Sequence, residues 1–100
     1  APPIFNGMPG ATIPLNYEGS DSGSDQYAAI YNGLGSVTVK IQDGSFTVPE
    51  GIQGYSFVLV TSSSDISGVN SDNIIAGPAE MQTRFNSKQE NPGFMNPYGA

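Results

Sequence analysis

The chain of 100 residues contains no histidine and no cysteine, so its chemistry rests on carboxylates, hydroxyls, amides and five tyrosines. Without those two residue types it lacks the usual general base near neutral pH, a thiol nucleophile and soft transition-metal ligands. A serine nucleophile would need a base from elsewhere, and the only cations are Lys40, Arg84 and Lys88. Two of the nine carboxylates could pair to cleave a glycosidic bond, but nine acids in so short a chain bring some pair together by crowding alone. The glycine-rich turns follow neither a phosphate-loop nor a dinucleotide pattern. The expectation is a protein that is not an enzyme.

Binding chemistry remains. Asp21 and Asp25, separated by serine and glycine in the polar stretch 18–25, are a weak calcium candidate, because the full EF-hand spacing and its final Glu are missing. A solvated loop is the plainer reading. Tyr17, Tyr27 and Tyr31, with Tyr55 and Tyr98, could offer ring faces on which a sugar stacks while Asp or Asn bonds its hydroxyls. Tryptophan is absent, and a strand tyrosine more commonly packs in the core or on the sheet. Phe5, Pro14, Phe94 and Tyr98 are candidates for contact with a partner protein: one sits at a strand edge and the others in apolar terminal stretches that need cover.

The elements that must position these residues are β-strands. The charged fraction, 12%, is about half the usual share, and 13 glycines and 8 prolines punctuate the chain. That composition suits short strands and turns rather than long helices. A net charge of −6 disfavours nucleic acid or an anionic membrane surface as partner, since both require clustered Lys and Arg. No apolar run reaches membrane-span length and no signal segment opens the chain. Ala1-Pro2-Pro3 looks like the end left by a removed presequence, and the acidic, Ser/Thr-rich, Lys-poor composition leans extracellular. No Asn-x-Ser/Thr sequon occurs.

The central stretch is Val48 to Thr61. A Pro49/Gly51 turn feeds a strand apolar on both faces, with Tyr55, Phe57 and Leu59 on one side and Val58 and Val60 on the other. Such a strand belongs in the middle of a sandwich or barrel. Three prolines and two glycines make residues 1–10 an arm or loop, anchored by Ile4, Phe5 and Met8. Ile13, Leu15 and Tyr17 share one face of a strand that Pro14 restricts to an edge or an end. Further strands are expected over 26–31 and 36–42. Asp43-Gly44 signals a hairpin into 45–48, so that three strands from residue 36 onward make a meander. The polar stretch 62–73 is long for a hairpin and suggests a crossover or Greek-key connection. A strand near 74–76 and an alternating run from Ala79 to Phe85 complete the pattern. The expected organisation is an N-terminal arm (1–10), a β-sandwich domain (11–85) and a C-terminal tail (86–100). The sandwich is expected to be immunoglobulin-like, with about seven short antiparallel strands.

Residues 47–62, Thr-Val-Pro-Glu-Gly-Ile-Gln-Gly-Tyr-Ser-Phe-Val-Leu-Val-Thr-Ser, precede Asp72-Asn73-Ile74-Ile75-Ala76-Gly77-Pro78-Ala79, and a Tyr27–Leu34 strand comes earlier. Over about residues 11–80 this pattern resembles the C-terminal β-domain of secreted fungal ferritin-like, desiccation-related proteins. The resemblance implies a fungal, secreted, immunoglobulin-like domain, either standing alone or released from a longer precursor. The ferritin-like helical bundle, with its Glu and His metal ligands, has no counterpart here. No metal or oxidase role transfers to any residue. The functional expectation is self-assembly or packing onto a parent or partner protein through the edge strand and terminal arms. Carbohydrate or cell-wall binding through exposed tyrosines is the alternative.

Overall fold

The computed structural model describes residues 4–15, 17 and 25–77. Within these residues seven strands form two antiparallel sheets, making an all-β sandwich. In chain order they are β1 (Ile4–Gly7), β2 (Thr12–Pro14), β3 (Tyr27–Asn32), β4 (Gly35–Lys40), β5 (Ser45–Thr47), β6 (Gly54–Thr61) and β7 (Ile74–Ala76). The larger sheet runs β1-β6-β3-β4, with β7 also on β6; the smaller is β2-β5.

The doubly apolar β6 lies in the interior of the larger sheet, as its composition requires. One flank pairs throughout with β3, from Tyr27↔Thr61 to Asn32↔Ser56. The other flank is shared end to end by β1, opposite residues 54–57, and β7, opposite Val60 and Thr61. Ser56, Val58 and Val60 face the core, which puts Tyr55, Phe57 and Leu59 on the opposite face.

The core fills the space between the sheets. Phe5, Ala28, Ile30, Val58, Val60 and Ala76 from the larger sheet meet Ile13 and Phe46 from the smaller one, together with Leu15, Tyr17, Val48 and Ile52. Each fully buried large side chain contributes about 1.5–3 kcal/mol relative to exposure. Backbone bonds from Gly10 N–H to Val48 O (2.8 Å) and from Leu15 N–H to Gly44 O (2.8 Å) extend the β2–β5 pairing beyond both ends of its three residues.

Three expectations are corrected. Residues 1–10 are not simply an arm: Ile4–Gly7 is a sheet strand and Phe5 is fully buried. The ring of Phe5 folds over Gly7, where any Cβ would stand 2.6 Å from it. The meander is also broken. Asp43 and Gly44 do form the tight turn, both at positive φ (54° and 75°), as a type I′ turn demands. Beyond the Gln42↔Ser45 bridge, however, β5 diverges to pair with β2, carrying Phe46 into the core.

The stretch 62–73 is a closed loop rather than a crossover, since β7 returns to β6 itself. Its own polar side chains fold it back. The Thr61 hydroxyl lies 3.0 and 2.9 Å from the backbone and side-chain oxygens of Asn73, while the Asn73 amide donates to Gly68 O at 2.7 Å. A single 3₁₀ turn, Ile66–Gly68, forms within it.

Candidate binding surfaces

Among the described residues the buried polar side chains are Gln26, Ser56 and Thr61, and each has a structural partner. The Tyr17 hydroxyl donates to Gln26 Oε1, fixing the chain after β2 to the entry of β3. Asn32 Nδ2 reaches Ser56 Oγ (2.5 Å) and the carbonyls of Gln53 and Tyr55 (3.1 Å each), while its Oδ1 accepts from Leu34 N–H (2.8 Å). Thr61 closes the 62–73 loop, as described above. These groups serve the architecture. Among the described residues no three His, Cys, Asp or Glu side chains gather in a way that could hold a metal ion.

Two surfaces remain open. One is the outer face of the larger sheet, which the pairing register divides into rows. Thr38, Ala29 and Leu59 form one row. The Thr38 hydroxyl donates to Ser64 O at 2.8 Å, which lays the 62–73 loop against this row, and Ala29 is fully buried there. Two residues along, Ser36, Tyr31 and Phe57 form the next row. The Tyr31 and Phe57 rings are half-buried, with centroids 6.3 Å apart and planes inclined at 44°. Beyond them Tyr55, opposite Asn6, is 63% exposed. Met8 and Leu34, both exposed, follow at this same end of the sheet.

The other surface is the edge of β4. Ile41 N–H donates to Gln26 O at 2.9 Å, making Gln26 and Ile41 a hydrogen-bonded pair. Bonded and non-bonded pairs alternate along an antiparallel ladder. The main-chain groups of Ser36, Thr38 and Lys40 therefore point away from β3. No described strand receives them, because β4 is the last strand on this side. Where β4 and β5 splay apart, an open groove of about 420 Å³ is lined by residues including Val39, Lys40, Phe46, Thr47 and Thr12.

The sequence candidates distribute unevenly over these surfaces. Phe5 is consumed by the core. Pro14 ends β2 opposite Ser45 and has no N–H with which to add a further strand. Tyr17 is buried and bonded to Gln26, so it offers no stacking face. Tyr27 is half-buried, in the row of Lys40 and Thr61 on the far side of the loop contact. Of the tyrosines named for stacking, Tyr31 and Tyr55 belong to the open aromatic rows. Asp25 pairs with Lys40 at 3.4 Å, both largely exposed. Asp21, Phe94, Tyr98, the Ala79–Phe85 run and the tail 86–100 lie outside the described residues.

Sequence reasoning named Tyr55 among the stacking tyrosines but missed Phe57 as a surface residue, because it treated both faces of β6 as buried. The signal was there, since Gly54, Tyr55 and Ser56 are less apolar than the residues that follow. No protein-family model, curated protein or solved structure matches the chain.

Proposed function

We propose that the chain is a non-catalytic, secreted, immunoglobulin-like module that assembles with a second protein chain by strand addition along β4. The observation that carries this reading is the β4 edge: six residues, free of proline and paired on one side only among the described residues. Unprotected edges of this kind are templates for another strand. The acidic, Lys-poor composition supports the extracellular setting.

A second copy is the occupant that the edge suits best. Inner-face residues must meet inner-face residues, so an antiparallel self-pairing must centre on a residue. Centred on Thr38, it sets Val37 of one copy against Val39 of the other, and Ser36 against Lys40. The outward main-chain groups of Ser36, Thr38 and Lys40 would then all be bonded. The one cation on the edge meets a hydroxyl rather than its own copy.

Light scattering across a concentration series tests this. The expected result is a mass that rises toward two copies, and a Thr38→Pro variant that stays at one. Proline at this position removes an N–H that no described group uses. It also removes the hydroxyl bond to Ser64 O, so a Thr38→Val variant, which loses that bond alone, should dimerise as the wild type does. A Thr38→Lys variant, which retains the N–H, places two ammonium groups face to face across the interface. It should dimerise weakly at low salt and recover as salt is added. A wild-type chain of single mass at every concentration overturns the proposal, as does a dimer indifferent to both the proline and the lysine variants.

A further inference from the structure

We propose that the open half of the outer sheet face is a binding site for a neutral, β-linked oligosaccharide, lying flat across Tyr31, Phe57 and Tyr55. The site lies on the sheet face, whereas β4 strand addition acts in the plane of the sheet; Ser36, on β4, is the one residue that both would use.

The composition of this surface selects the ligand. Ser36, Tyr31, Phe57, Tyr55 and Asn6 carry no charge, in a chain whose net charge is −6. Their contribution is ring area bordered by two phenolic hydroxyls, one aliphatic hydroxyl and one amide. None of these four polar groups makes a side-chain hydrogen bond to another described residue. A pyranose ring with equatorial substituents has the matching surface, with C–H faces above and below and hydroxyls around the rim. Aromatic rings take the C–H face and the bordering polar groups take the rim. An anionic ligand finds no cation in these rows, and a nucleic acid would meet the unfavourable overall charge.

The geometry suits an extended ligand. Tyr31 and Phe57 sit on neighbouring strands with centroids 6.3 Å apart, and Tyr55 lies two residues along β6 from Phe57. Successive same-face residues on a strand are separated by about 6.6 Å. The rings thus span more than one sugar unit. The 62–73 loop, held down through Thr38, covers the next row and bounds the site on that side.

Cellohexaose and chitohexaose are the probes, with oligogalacturonate as the anionic control. Titration followed by backbone amide shifts and by tyrosine emission, which no tryptophan obscures, reports on the site directly. Saturable binding of at least one neutral probe is expected, with the largest shifts at Tyr31, Tyr55 and Phe57. Tyr55→Ala should weaken it about tenfold and Tyr55→Phe far less, since the stacking face is retained. Tyr55 is mostly exposed, so neither change disturbs the core. Three results overturn the proposal: no saturable binding of either neutral probe, binding unchanged in Tyr55→Ala, or equal binding of the anionic control. If Tyr55→Ala instead lowers the mass seen by light scattering, the face belongs to a protein contact and the sugar site is rejected.

Discussion

Phe5 meets Phe46 edge to face across the sandwich, with ring centroids 5.5 Å apart and planes at 73°. One ring belongs to a strand of the larger sheet and the other to the two-stranded sheet, so the pair joins the layers directly. Such aromatic pairs add to the stabilisation from area burial alone. Phe5→Ala should cost about 3–5 kcal/mol, read from urea midpoints. Gly7→Ala should cost about 1–3 kcal/mol, because its methyl displaces the Phe5 ring. In a Phe5→Leu background the Gly7→Ala penalty should shrink, which marks the two positions as coupled.

Asn73 governs the loop after β6. Its Oδ1 lies within hydrogen-bond distance of the Thr61 hydroxyl and accepts from Asn70 N–H at 3.0 Å, while its amide holds Gly68 O. Asn73→Ala should cost about 1–3 kcal/mol, because it removes the side-chain bonds to Asn70 N–H and Gly68 O and leaves the Thr61 hydroxyl only the backbone oxygen of residue 73 as acceptor. Hydrogen exchange should quicken at Asn70 and Ser63 while β3 stays protected. Uniform acceleration across the sandwich would show that the loop is not a separate unit.

Lys40 and Asp25 form an ion pair that is exposed on both sides. Screening by solvent leaves such a pair worth less than about 1 kcal/mol. Lys40→Ala should therefore leave the melting temperature almost unchanged, at low and high salt alike. Under the assembly reading the same variant alters the dimer, since Lys40 lies on the β4 edge; calorimetry at low protein concentration separates the two effects.

Among the described residues, strands were legible where alternation ran for five or more residues. Val37, Val39 and Ile41 announced β4, and Ile13, Leu15 and Tyr17 marked the buried face of the chain from β2 onward. Asp43-Gly44 announced its turn. What lay beyond the sequence was the pairing. A hairpin turn fixes only the residues beside it, so nothing local told β5 to leave β4 for β2. Nothing local told a four-residue stretch between prolines to join β6. The loop was misread for a related reason: Ser and Asn side chains closed it internally, and their bonds carry no periodic signature. The open surface was half legible. Tyr31 and Tyr55 were both named, but which of the five tyrosines stays open depends on how far each row of the sheet is covered, which is a tertiary fact.

The shared flank of β6 has a consequence for how the molecule comes into being. β1 finds its partner about fifty positions later in the chain, and β7 docks beside it on the same strand. During synthesis the first strand must wait, its phenylalanine uncovered, until β6 has emerged. The β3–β4 hairpin, closed by a short turn, can form well before that. Sequence separation alone favours the hairpin as the first piece to form, with β6 expected next and β1 among the last to close. Contacts so distant in sequence make folding slow for a domain of this size. They also leave an interval in which the waiting strand is open to a chaperone or to a neighbouring nascent chain.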